Sequence, residues 1–306
     1  MRADLNAALV ALDAVLLDKP GAVRLSLACL LAGGHLLIED VPGMGKTLLA
    51  QALARVLGLE YKRVQCSSDL LPGDITGAPV YRQASGEFEF RPGPVFTQVL
   101  LVDEINRASP KTQSALLEAM EERQVSADGR SYPLPQPFFV VATQNPQDDL
   151  GTFALPEAQL DRFLMRLSLG YPGRASEYAI LRGQGRQSML QNSAPALDAA
   201  NVLALQAEAA GVAVADALLD YVYALTQATR DGRFRRGLSV RAAQAVVGAA
   251  RAWAYIDGRA FVIPADVQAV FAAVADHRLE SAVAGQGAAA VATHGAALLA
   301  AVPVPV

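Results

Sequence analysis

Between Leu36 and Leu49 the sequence LLIEDVPGMGKTLL runs an apolar, strand-like stretch into a glycine-bearing turn and then a helix start, an order suited to binding phosphate. Pro42, Gly43, Met44, Gly45, Lys46, Thr47 and Leu48 make up the turn and the first helical residues. The glycines let backbone NH groups curl around an anion, with Lys46 and Thr47 beside them in the first helical turn. A lysine at a helix N-terminus opposes the macrodipole at a cost of about 0.3–1 kcal/mol, and a bound phosphate removes that conflict. An ordinary strand-to-helix turn leaves the lysine unexplained. Asp40 stands where the first glycine of GxxxxGK[ST] belongs, so the match to that pattern is incomplete.

A second group of residues supplies the chemistry a bound phosphate would need. VLLVDEINR, from Val99 to Arg107, is an apolar run ending in Asp103 and Glu104, which sets two carboxylates at the carboxyl edge of a buried strand, where ligands of open α/β sheets gather. In a phosphate-loop enzyme Mg²⁺ is held by the loop hydroxyl, Thr47, and by such a strand-end acid, Asp103. Glu104 would then polarise the attacking water. Such carboxylates also serve simply as helix caps, and it is Lys46 and Thr47 upstream that favour the chemical role. FFVVATQNP ends in Asn145, which an adjacent strand would bring near the same water, or which merely turns the chain before Pro146. In LPEAQLDRF, Arg162 lies in a short helix where it either pairs locally with Glu157 or Asp161 or faces an anionic partner. Arg241, just after Ser239 in GLSVRAAQAV, repeats the anomaly of Lys46: a cation in a first helical turn, without a local reason.

The elements that must position these residues alternate in the first half. Strands are predicted at Leu36 to Glu39, Tyr61 to Gln65, Val99 to Val102 and Phe138 to Thr143, with helices from Thr47 to Leu57 and from Pro110 to Arg123 between them. That alternation implies an α/β fold, a parallel sheet with helices on its faces. Ser109 can cap the second helix and Pro110 suits its first position, with Leu116, Leu117 and Met120 on one face. Val80 to Val95 and Val125 to Leu134 read as hairpins inserted into this alternation, the second around Asp128-Gly129. Gly183 to Ala196 reads as a linker. Beyond it Leu218, Tyr221, Val222 and Leu225, then Val267, Val270, Phe271 and Val274 after Pro264, follow helical spacing. From Ala282 onward the chain is rich in Ala and Gly and closes in VPVPV, which reads as a terminal helix and a loose tail.

Composition bounds the remainder. At 306 residues with 52% apolar side chains, about two domains with sizeable cores are expected. The net charge of -4 and the absence of a Lys/Arg-rich run give no nucleic-acid footprint, although a basic ring pore fits inside an acidic chain. Cys29 and Cys66 have neither CxxC nor His/Cys spacing, so no disulfide framework or structural zinc is indicated and a reducing, cytoplasmic setting fits. The first twenty residues, interrupted by Asp4, Asp13 and Asp18, read as an amphipathic helix rather than a targeting segment. The apolar run Leu25 to Leu31 stops at Gly33-Gly34, too short to span a membrane, so no membrane insertion is expected.

Taken together, EDVPGMGKT, VLLVDEINRASPKTQSALLEAMEERQV, PFFVVATQNP, GTFALPEAQLDRF, the YPGR turn at Tyr171 to Arg174 and the Arg241 segment resemble the MoxR family of AAA+ ATPases. The resemblance spans about Ala22 to Leu279. It implies an ATP-binding αβα core over 1–190, carrying the hairpin inserts at about 80–95 and 125–134, and a smaller all-α lid domain over 191–306. It also implies Lys46 and Thr47 as Walker A, Asp103 and Glu104 as Walker B, Asn145 as sensor 1, Arg162 as arginine finger and Arg241 as sensor 2, with ATP and Mg²⁺ as ligands. A homo-oligomer, usually a hexameric ring, and a von Willebrand factor A domain partner follow from the resemblance alone. The function it implies is chaperone-like remodelling or maturation of a protein client, driven by ATP hydrolysis at sites between subunits. A magnesium-chelatase-like motor subunit, a non-hydrolysing nucleotide-dependent scaffold and a DNA-handling motor are the alternatives. Asp40 departs from the general loop pattern but suits EDVPG-type loops of such proteins.

Overall fold

The structure, a computed structural model, describes residues 2–84, 86–145, 152–182, 190, 194–280 and 294–304. Helix α1 (Arg2–Val15) buries Leu5, Ala8, Leu12 and Val15, the one-faced spacing expected of an amphipathic helix. Helix α2 (Pro20–Leu31) is buried along most of its length and ends at Gly33, whose φ of 68° is the left-handed conformation that closes a helix. Strand β1 (Leu36–Glu39) follows, then α3 (Lys46–Val56) and β2 (Tyr61–Gln65). The short α4 (Pro72–Thr76) leads into the hairpin of β3 (Gly77–Arg82) and β4 (Glu87–Pro92).

Strand β5 (Val99–Asp103), helix α5 (Pro110–Glu122), the hairpin of β6 (Gln124–Ala127) and β7 (Arg130–Pro133), and strand β8 (Phe139–Gln144) come next. The Ser109 side chain accepts from the Thr112 amide at 3.3 Å and so caps α5 as expected. A one-turn helix α6 (Glu157–Leu160), strand β9 (Met165–Leu167) and helix α7 (Arg174–Leu181) complete the first part. The helical part comprises α8 (Ala199–Ala210), α9 (Asp216–Ala228), α10 (Val240–Ile256), α11 (Pro264–Ala275) and α12 (His294–Ala301).

The main sheet is parallel in the order β2-β5-β8-β1-β9. Its central strands β5 and β8 are buried throughout, which is why they read as continuous apolar runs rather than alternating ones. Successive residues of β1 serve opposite faces. Leu36 and Ile38 join the core formed with α1, α2, α3 and the helical part, whereas Leu37 joins the core formed with α5. Strand β9 was not anticipated. Three residues give no readable period, and β9 exists because Leu36, Leu37 and Ile38 pair with Met165, Arg166 and Leu167.

The first hairpin sits three residues earlier than the sequence suggested, because the chain turns at Gly93-Pro94 and the Val95 amide bonds to the Ile75 carbonyl at 3.1 Å. The two hairpins meet through Phe90 and Tyr132, stacked 4.1 Å apart. The helical part packs against α2 through α10 and against β9 through α11, within one continuous apolar core. Most of the anticipated linker Gly183 to Ala196, and residues 281–293 and 305–306 of the terminal segment, lie outside the described residues. Both cysteines are buried free thiols. Among the described residues no helix is long and apolar enough to cross a membrane.

Gly34 fixes how closely β9 approaches β1, since a Cβ on it would lie 2.3 Å from Leu164 Cβ. Gly34→Ala is therefore expected to lower folding stability by about 1–3 kcal/mol, read as a lower midpoint in thermal or denaturant unfolding.

Candidate nucleotide site

The loop between β1 and α3 turns on two glycines. Gly43 and Gly45 have φ of 86° and 92°, and an added Cβ at either meets nothing within 4 Å, so it is backbone conformation rather than space that excludes other residues. Gly45 is also the N-cap of α3, which sets Lys46 and Thr47 in the first turn. The Lys46 ammonium donates to the Asp40 carbonyl at 2.5 Å and to Asn145 Oδ1 at 3.1 Å. Partial burial pushes the Lys46 pKa down, while the carboxylates of Asp40, Asp103, Glu104 and Glu39 act to hold it up. Met44 and Leu48 pack on the apolar core and anchor the loop from below.

Asp40 has a clear structural task. One carboxylate oxygen accepts from the Val41 amide at 2.9 Å, and the other accepts from the Leu169 and Gly170 amides at 2.7 Å each and from the Ser168 hydroxyl at 3.0 Å. A residue that breaks the general loop pattern thus ties the loop to the turn after β9, a contact no glycine can make.

The two acids at the end of β5 are held together through one hydroxyl. Thr143 Oγ1 donates to Asp103 Oδ1 at 3.1 Å and accepts from the Glu104 amide at 3.0 Å. The other Asp103 oxygen accepts from Arg63 Nε at 2.7 Å. Glu104 occupies the left-handed region at φ 55°, which costs a non-glycine residue about 1–2 kcal/mol. That turn points its carboxylate to Arg107 Nε at 3.0 Å and to Asn145 Nδ2 at 3.4 Å. Burial, then the Asp103 and Glu104 carboxylates, push the Cys66 thiol up to about 12, so it is no nucleophile in this setting.

Lys46, Asp103, Glu104 and Asn145 therefore converge at the carboxyl edge of β1, β5 and β8. Thr47 and Asp103 are hard oxygen donors that suit Mg²⁺, which takes one or two carboxylates along with substrate phosphates and keeps several waters. Held that way, it needs no cluster of three or more acids, and no metal-binding group of three or more His, Cys, Asp or Glu occurs among the described residues.

Arg162 and Arg241 are elsewhere. Arg162 lies just past α6, and instead of pairing with Glu157 or Asp161 it donates to the Leu117 carbonyl at 2.9 Å and pairs with Glu121. Arg241, in the first turn of α10, reaches the same carboxylate at 3.2 Å. Both line a cavity of about 260 Å³ with Glu121, Arg123, Asp161 and Arg278, four arginines against two carboxylates. His35, at the amino end of β1, also lines it. The cavity is thus about one strand length, roughly 13 Å, from the loop at the other end of β1. Glu121 lies on the helix anticipated at Pro110 to Arg123, but nothing in its spacing marks it. Arg63 and Arg278 likewise need the register and the packing to be found. Thr143 had a weaker signal: it is a hydroxyl near the carboxyl end of the strand that leads to Asn145.

Sequence comparison matches residues 35–165 to the ATPase family associated with various cellular activities and residues 229–300 to an AAA lid domain. The chain is 45% identical to the Bacillus subtilis protein YeaC, across 88% of this chain and 84% of that one. It is 42% identical to the chaperone MoxR1 of Mycobacterium tuberculosis, across 90% of this chain and 75% of that one. The crystal structure of a protein provisionally assigned as an ATPase, from Cytophaga hutchinsonii, superposes with a TM-score of 0.87 at 33% identity, covering 99% of this chain and 95% of that one.

Asp40→Ala removes the acceptor that ties the loop to residues 168–170. Isothermal titration is expected to show about tenfold weaker nucleotide binding with the fold intact by circular dichroism, since a bond to a charged group contributes roughly 1.5 kcal/mol.

Proposed function

The chain belongs to the MoxR family of AAA ATPases, and from that premise we propose that it hydrolyses ATP at sites shared between copies of itself, using turnover to remodel a protein client. The observation that carries this reading is the separation of two charged groups within one chain. Lys46, Asp103, Glu104 and Asn145 share one edge of the sheet, while Arg162 and Arg241 share Glu121 beyond the other. An arginine on the transferring phosphoryl contributes about 10³–10⁵ in rate, and neither arginine lies beside its own chain's Lys46. A neighbouring copy in head-to-tail contact would supply them.

Such a contact either closes into a ring or runs on as a filament, and the family likeness favours a hexameric ring. In it, Lys46 exchanges its Asp40 and Asn145 acceptors for phosphate oxygens. Glu104, freed from Arg107, takes a proton from the attacking water that Asn145 orients. When bound at Thr47 and Asp103, Mg²⁺ supplies charge neutralisation on the phosphates. The hairpins, with Tyr81 and Phe88 exposed and joined through Phe90 and Tyr132, are the segments suited to touch a client. A von Willebrand factor A domain partner and a cytoplasmic setting belong to the same proposal and rest on the family likeness and on cysteine usage.

Glu104→Gln is expected to retain ATP binding and lose turnover by at least about 10²-fold. Arg162→Ala should be equally inactive alone. Mixing the two variants pairs an intact Glu104 with an intact Arg162 at some interfaces, and phosphate release should return. A mixture as inactive as its parts rejects the cross-subunit site. Identical negligible turnover in assembled wild type and Glu104→Gln makes the protein a nucleotide-dependent scaffold instead.

A further inference from the structure

We infer that Arg278 is the positioning residue for Arg162, a strut from the helical part that holds the peptide on both sides of that arginine. The inference rests on the reading that Arg162 works on a neighbour's phosphate. Arg278 follows α11 in a short helical turn, and its side chain is only 7% exposed. Its Nε donates to Asp161 Oδ1 at 2.6 Å, and its Nη2 donates to the carbonyls of Asp161 at 3.1 Å and Phe163 at 2.8 Å. Its Nη1 donates to the Leu164 carbonyl at 3.2 Å and to that of Val274, one turn back on its own helix. Nη1 also lies 2.8 Å from Nε2 of the adjacent His277. Four of the six partner atoms thus belong to residues 161–164, and the residue bracketed between the Asp161 and Phe163 carbonyls is Arg162.

The chemistry of the pairing is specific. Guanidinium presents five donors in a rigid fork, so it fixes the direction of several carbonyls at once, which an ammonium cannot do. Burying that charge is tolerable only because every donor finds an acceptor. A helix that needed only to dock would be served by one ion pair. Here, beside the ion pair with Asp161, three acceptors are main-chain carbonyls around one residue, whose own side chain then leaves the segment for Leu117 and Glu121. Any shift of α11 relative to the sheet is therefore delivered to Arg162. A misplacement of about 1 Å in such a group can cost 10²-fold in rate.

The test uses full-length Arg278→Ala, Arg278→Lys and Asp161→Asn, each alone and mixed in equal amounts with Glu104→Gln. Each variant should show a KM for ATP near wild type, because its own loop and acids are untouched, with kcat reduced, by about 10²-fold for Arg278→Ala. Arg278→Lys and Asp161→Asn should fall between that and wild type, and they keep the test decisive if Arg278→Ala does not fold. Mixing should restore turnover, since Glu104→Gln subunits bring a correctly held Arg162 to the intact hydrolytic sites of the Arg278 variants. The inference is overturned if Arg162→Ala is rescued by Glu104→Gln whereas folded Arg278 variants are not, or if those variants raise KM as much as they lower kcat. If Arg162→Ala gains nothing either, the cross-subunit reading fails and takes this inference with it.

Discussion

Parallel pairing of β1 with β8 on one side and β9 on the other is the constraint on which the molecule depends. The β1–β8 register sets Glu39 against Gln144, so that Asp40 and Asn145 leave the sheet together and Lys46 can reach both. On the other side, β9 begins opposite Leu36, so the chain entering it passes the amino end of β1 with Arg162 on that approach. One strand of four residues thereby sends the glycine loop with Lys46 out of one edge and delivers an arginine to the other. Because parallel strands all point the same way, no local rearrangement of side chains brings these two groups together.

At the loop edge, charge is balanced in pairs. Arg63 neutralises Asp103, Arg107 neutralises Glu104, and Lys46 rests on a carbonyl and an amide oxygen. The Arg63 and Arg107 side chains are about half exposed, so these pairs sit at the open edge of the sheet rather than sealed in its core. The left-handed backbone at Glu104 fits the same picture. Conformational cost is kept at a position where the carboxylate must be aimed, and the Thr143 hydroxyl maintains it by holding both acids of the pair.

The helical part is more than a cover. Its α10 packs on α2 and its α11 on β9, inside a core that is continuous with one face of the sheet. Arg241 and Arg278 both come from this part and both end at the cavity around Arg162. Movement of the helices against the sheet would therefore be felt first at the arginine edge, through Glu121 and through the carbonyls of residues 161–164.

The glycine loop before Lys46, the paired acids at a strand end and the strands β1, β2, β5 and β8 were legible in the sequence, because each is local. A glycine turn before a lysine, an apolar run ending in carboxylates and a Ser-Pro helix start need only neighbours along the chain to be recognised. Asp40 was visible as an oddity, but its task was not, since its acceptors are filled by amides about 130 residues away. The three-residue β9, the sharing of Glu121 by Arg162 and Arg241, and the Arg278 clamp had no signal at all. They arise from sheet register and from helices packed across the chain, and a charged side chain carries no mark of which distant carbonyl it will meet. Sequence by itself determined the chemical set that the chain carries, the loop lysine, the paired acids and the arginines. Only the tertiary structure decided that its two halves sit at opposite ends of one strand, because that separation is a consequence of parallel pairing and not of any residue.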